Sequence, residues 1–106
     1  MSDMVWSATE KKVARRVFDA ALQRELADIM ADFKTRAAQA STPDDLWAIK
    51  AHLVRVQHDI DSKYDYRYST LEFVLGRLLF EQRVQLQDLT GMKAERIAKI
   101  CRIASQ

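Results

Sequence analysis

His52 and His58 are the two histidines of the chain, and they stand six residues apart in a stretch of helical periodicity. Six residues leave two side chains about 120° apart around a helix axis, so these imidazoles cannot ligate one metal ion. Asp44 and Asp45 have the look of paired catalytic acids. They follow Thr42-Pro43, however, and carboxylates in the first turn of a helix are accounted for by its dipole. Cys101 is the single cysteine, which rules out an internal disulfide and fits a reducing compartment. Flanked by Ile100 and Ile103, it reads as a small buried hydrophobe rather than a nucleophile. Ser, His and Asp occur without triad order, and no Gly-rich phosphate loop, H-E-x-x-H or C-x-x-C is present. The residues therefore point to no catalytic centre, no metal site and no cofactor.

Bulk properties narrow the class further. At 106 residues a single domain is expected, without room for a separate catalytic lobe. No apolar run approaches the ~20 residues of a membrane span. The opening MSDMVW lacks the basic and apolar regions of a signal peptide, so a cytoplasmic protein is expected. A net charge of +2 does not by itself argue for nucleic acid. Two basic clusters, Lys11-Lys12-Arg15-Arg16 and Lys93-Arg96-Lys99-Arg102, read as solvated helix faces.

Two glycines and one proline leave few points at which the chain can turn tightly, which predicts an all-α bundle of about four long helices. Ser7-Ala8-Thr9-Glu10 is a capping box opening a helix over about 7–40. Phe18, Leu22, Leu26, Ile29 and Phe33, spaced 4, 4, 3 and 4, form its apolar stripe, with Val13, Val17 and Ala20 nearly opposite. Such a helix is about 50 Å long, whereas a compact chain of this size is about 33 Å across. One protomer cannot cover it unless it kinks, so a second copy is expected. Thr42 caps a second helix over 43–63, with Pro43 at its first position. Leu46, Ile49, Leu53, Val56 and Ile60 make a heptad seam. Trp47, Ala51, Val54 and His58 make a second stripe on the far side, read as an interface with Trp47 its anchor.

Tyr64-Asp65-Tyr66-Arg67-Tyr68 interrupts the helical period as a short extended link, and Ser69-Thr70-Leu71-Glu72 offers a capping box for a third helix over 69–84. Leu71, Val74, Leu75 and Leu78 lie on one side of it; Phe73, Phe80 and Val84 lie on the other, near Gly76, where another backbone can approach closely. A last helix is expected over 92–104. With Gly91 in the turn and Leu86, Ile97 and Ile100 inward, residues 86–104 imitate a helix-turn-helix whose Lys93, Arg96, Lys99 and Arg102 could meet phosphates. Gln87, where a small residue is normal, and Glu95 on the groove side count against it.

Gln23-Arg24-Glu25-Leu26, Asp44-Asp45-Leu46-Trp47, His58-Asp59-Ile60-Asp61-Ser62-Lys63-Tyr64-Asp65-Tyr66-Arg67-Tyr68-Ser69 and Phe73-Val74 resemble, in order and separation, the fluorescence recovery protein family of cyanobacteria. The likeness runs from about Trp6 to Ile103, and K-Y-D-x-R-x-S after H-x-I-D is its specific part. It implies a small all-helical homodimer without a cofactor. Such a dimer binds the light-activated orange carotenoid protein, speeds its return to the resting form and helps it leave the phycobilisome. It also implies that Trp47 sits in a dimer patch and that Phe73 and Lys99 meet the carotenoid protein. Phe80, beside Phe73, and Arg67, within the motif, join that candidate partner surface. In the dimer patch, Lys50, Ala51 and Gln57 stand where the family has a His, an Asp and an Arg. Two alternatives stay open: a divergent member with another protein partner, and a DNA-binding regulator using 86–104. A higher oligomer also remains open.

Overall fold

A computed structural model describes residues 5–106. Four α-helices follow one another: α1 (Ala8–Gln39), α2 (Pro43–Lys63), α3 (Leu71–Phe80) and α4 (Ala94–Ala104), with a 3-10 turn at Leu86–Leu89 before the last. Among the described residues there is no strand, only an isolated bridge between Thr90 and Met92. Local chemistry sets the first two starts. Ser7 Oγ accepts from Glu10 N and the Glu10 carboxylate accepts from Ser7 N. Thr42 and Asp45 form the same reciprocal box, which leaves the Asp45 carboxylate engaged as a cap. Hydrogen bonds from the Ser41 and Thr42 amides hold its pKa below the ordinary range.

The third helix departs from its expected span of 69–84. Its N-cap is Thr70, not Ser69, and no side-chain capping bond forms, because Glu72 is drawn away to Arg96 and Lys99. It ends at Phe80, with Gln82 in the left-handed region at φ 64°. The Arg83 and Val84 amides fold back onto the Leu78 carbonyl at 2.9 and 3.2 Å, a closure that uses a left-handed residue to satisfy the last carbonyls of a helix. Val84 is consequently buried in the core and does not share the exposed side of Phe73 and Phe80. The close approach expected at Gly76 is real: a Cβ there would lie 2.5 Å from Ile103 Cγ2, so α4 packs directly against the α3 backbone. Cys101, expected to be buried, is half-buried.

The buried apolar residues all come from before Leu22 or after Lys63: Trp6, Val13, Val17 and Phe18 of the N-terminal segment and α1 meet Leu71, Leu75, Leu78, Val84, Leu89 and Ile100. These make a head. From Leu22 to Ser62 no residue is buried. That stretch is a stalk formed by the far half of α1 and nearly all of α2. The molecule measures 57 × 25 × 23 Å with a radius of gyration of 17.0 Å, against about 13 Å for a compact chain of this length.

Two ionic clusters hold the head. In the first, Arg96 Nε donates to Glu10 Oε2 at 3.0 Å and its Nη1 to Glu72 Oε2 at 2.6 Å, while the guanidinium lies 3.7 Å from the Trp6 ring centre. Glu10 also accepts from Lys93 N. Burial raises the Glu10 pKa, but the amides of Lys93 and Ser7 and the Arg96 guanidinium outweigh it and bring it down to about 2. In the second, at the neck, Lys63 Nζ donates to Glu25 and to Glu81, each at 2.8 Å. Tyr64 Oη donates to Glu25 at 2.7 Å, and Arg83 pairs with Glu25 and Asp28.

Candidate docking surfaces

The stalk has only its own two helices for cover, and two antiparallel helices cannot enclose stripes that point to several sides. Leu26, Met30, Leu46, Trp47 and Val54 are all exposed, Trp47 at 60% and Val54 at 58%. Trp47, Lys50, Val54 and Gln57 line one open hollow of about 410 Å³ with Phe33, Leu46, Ile49 and Leu53. The heptad seam and the Trp47 stripe therefore share an open face rather than lying on two closed ones. Beside it, Leu22, Leu26, Ile29, Leu53, Val56 and Ile60 line a second hollow of about 520 Å³. Ala51 and His58 are exposed on α2 outside both lining sets. His58 is not a core residue. His52 lies across the gap between the stalk helices, its Nε2 3.5 Å from Asp32 Oδ2.

On the head, Phe73 and Phe80 are 57% and 69% exposed. Seven residues apart on α3, they stand one above the other. Lys99 reaches back from α4 to Glu72 Oε1 at 2.8 Å, so the residue before Phe73 tethers it. Arg67 is exposed and engaged with Asp65 through Nε and Nη2.

The tail presents only part of the basic face expected of a helix-turn-helix: Lys93, Lys99 and Arg102 are exposed, but Arg96 is withdrawn. Arg96 is 1% exposed and saturated by two carboxylates, and Leu86, expected inward, is exposed. A guanidinium committed in this way is unavailable to phosphates. Among the described residues no group of three or more His, Cys, Asp or Glu side chains is placed to hold a metal, and no helix is long and apolar enough to cross a membrane.

The family model for the photoprotection regulator fluorescence recovery protein matches residues 6–104. The chain belongs to this family. The fluorescence recovery protein of Synechocystis sp. is 39% identical over 99 residues, covering 93% of this chain and 91% of that protein. The solved structure of the fluorescence recovery protein from Fremyella diplosiphon is 33% identical with a TM-score of 0.92, covering 96% of this chain and all of that one. That from Synechocystis sp. is 38% identical with the same TM-score and the same coverage. The head-and-stalk shape is thus the family's fold, and the protein is a photoprotection regulator by family.

The family motif owes its form to the corner between α2 and α3. Tyr64 and Tyr66 meet the Phe18 ring edge-on at 5.4 and 4.9 Å. Tyr66 meets Tyr68 at 5.6 Å, and Tyr68 in turn meets Trp6 at the same distance. Trp6 Nε1 donates to the Tyr68 carbonyl. The alternation Tyr-x-Tyr-x-Tyr places a continuous aromatic chain against the start of α1. Two features of this region escape a reading of periodicity. One is the burial of Arg96; the other is the approach of Tyr66 and Tyr68 to Lys11 and Arg15. The pairing of like charges four apart near the start of α1 was the available signal for the second.

Proposed function

We propose that this protein is a non-enzymatic, homodimeric regulator of the cytoplasm that binds the light-activated orange carotenoid protein and accelerates its return to the resting state. The observation that carries the reading is the stalk, in which no residue from Leu22 to Ser62 is buried. Burying a large apolar side chain contributes about 1.5–3 kcal/mol, and Leu26, Met30, Leu46, Trp47 and Val54 retain much of that surface in water. A second stalk laid against the first removes it. Trp47, Val54, Lys50 and Gln57 would line the contact, with Ala51 and His58 at its edge. Where the family has a charged network, this chain would dimerise through apolar contact.

Phe73, Phe80 and Lys99 would face the carotenoid protein, with Arg67 on the same head. A dimer presents two such heads. A binder speeds the conversion of its target only by holding the transition state more tightly than the starting state, so the head must fit the passage towards the resting form better than the activated form. Family membership supports the partner, and the exposed phenyl rings support the face. The test is to mix the protein with photoactivated orange carotenoid protein and time the red-to-orange reversion. Acceleration lost on Phe73→Ala with the dimer intact is the expected result; no acceleration at micromolar excess removes the reading.

A further inference from the structure

Lys11, Lys12, Arg15 and Arg16 occupy the early turns of α1, where the rules of helix stability argue against them. Lys11 and Arg15, and Lys12 and Arg16, are like charges four residues apart, each pair costing about 0.2–0.5 kcal/mol. Partial relief comes from Arg15, which pairs with Asp19 at 3.2 Å and lies 3.6 Å from the Tyr66 ring centre. Lys11 lies 5.1 Å from that of Tyr68. Among the described residues, Lys12 and Arg16 have no ion-pair partner. The four cations and the two tyrosines line one open hollow of about 470 Å³ on the head. Local rules broken without full compensation mark functional sites more often than accidents.

We propose that this face is a docking surface for a carboxylate-rich segment of a partner protein. Lys12 and Arg16, without ion-pair partners in an open concavity and flanked by Lys11 and Arg15, supply charge-assisted hydrogen bonds to carboxylates. Nucleic acid fits less well. Lys11 to Arg16 spans about 8 Å of helix axis, too little to follow a backbone, and the tyrosine faces already carry Arg15 and Lys11 rather than lying free to stack with bases. Among the described residues, no aliphatic side chain lines the hollow to enter a bilayer.

The experiment titrates the full chain with a short oligoglutamate peptide, a single-stranded oligonucleotide of matched charge and anionic vesicles, following amide resonances at low salt. Expected is saturable peptide binding that shifts residues 11–16 and 66–68, weakens with salt, and falls about tenfold or more in Lys12→Glu/Arg16→Glu. A control, Lys34→Glu/Arg55→Glu on the stalk, should bind as the wild type does. The Lys12→Glu/Arg16→Glu variant should melt within a few degrees of the wild type, since both positions are exposed and the change exchanges one like-charge pair for another. Peptide binding that survives this variant, or that the stalk control abolishes equally, overturns the proposal. So does tighter binding of the oligonucleotide or the vesicles than of the peptide. If the peptide is ignored while Lys12→Glu/Arg16→Glu lowers the assembled mass of the chain, the face binds a second copy and the proposal is equally overturned.

Discussion

Arg96 Nε donates to Glu10 Oε2 at 3.0 Å across 86 residues of sequence, with both side chains 1% exposed. This contact ties the start of α1 to α4, and through Glu72 it extends to α3. Breaking a buried ion pair by deleting one partner costs about 3–5 kcal/mol, because the other charge stays buried without compensation. Arg96→Met leaves the buried Glu10 carboxylate with backbone amides alone and Glu72 with Lys99 alone, and should lower the melting temperature by at least about 10 °C. Adding Glu10→Gln and Glu72→Gln to that variant should recover part of the loss. A variant that melts as the wild type does would show that the pair does not hold the head.

Acid should unfold the head through the same carboxylate. The Glu10 pKa of about 2 lies below its ordinary value of 4.5, so its contribution is complete above about pH 5 and disappears as pH falls towards 2. The difference amounts to about 3 kcal/mol. Denaturant titrations between pH 5 and pH 2 should show the wild type losing more stability than Glu10→Gln across that window. Parallel curves would assign the acid sensitivity to other groups.

Gln82 sits at φ 64°, a region that L residues with a Cβ occupy at a cost. Gln82→Gly should stabilise the protein by about 0.5–1 kcal/mol in chemical denaturation, since the turn after Phe80 demands this conformation whatever residue fills it. A loss of stability would mean that the Gln82 side chain makes a contact worth more than the strain.

Legibility in the sequence follows the range of the interaction responsible. Ser7 with Glu10, and Thr42 with Pro43, set two helix starts through contacts within four residues, and both were readable. The exposure of Trp47 was readable because a helix longer than the molecule's compact diameter leaves apolar surface uncovered. The separation of its stripe from the heptad seam was not, since both line one open face. Glu72 misled, since its spacing from Ser69 fits a capping box while Arg96, 24 residues on, binds it instead. Arg96 misled equally: a helical period with basic residues every three or four positions looks the same whether that face meets solvent, phosphate or two buried carboxylates. The end of α3 was lost for a related reason. Val84 continues the helical spacing of Phe73 and Phe80, but core burial pulls it the other way and forces the left-handed turn at Gln82.

The uncovered stalk is most directly tested by the mass of the protein in solution. Light scattering at micromolar concentration should give about twice the chain mass of 12.3 kDa, and Trp47→Glu, which places a charge in the hollow lined by Leu46, Leu53 and Val54, should return it to a single chain with its helicity retained. A wild-type protein that scatters as one chain at that concentration would contradict the account.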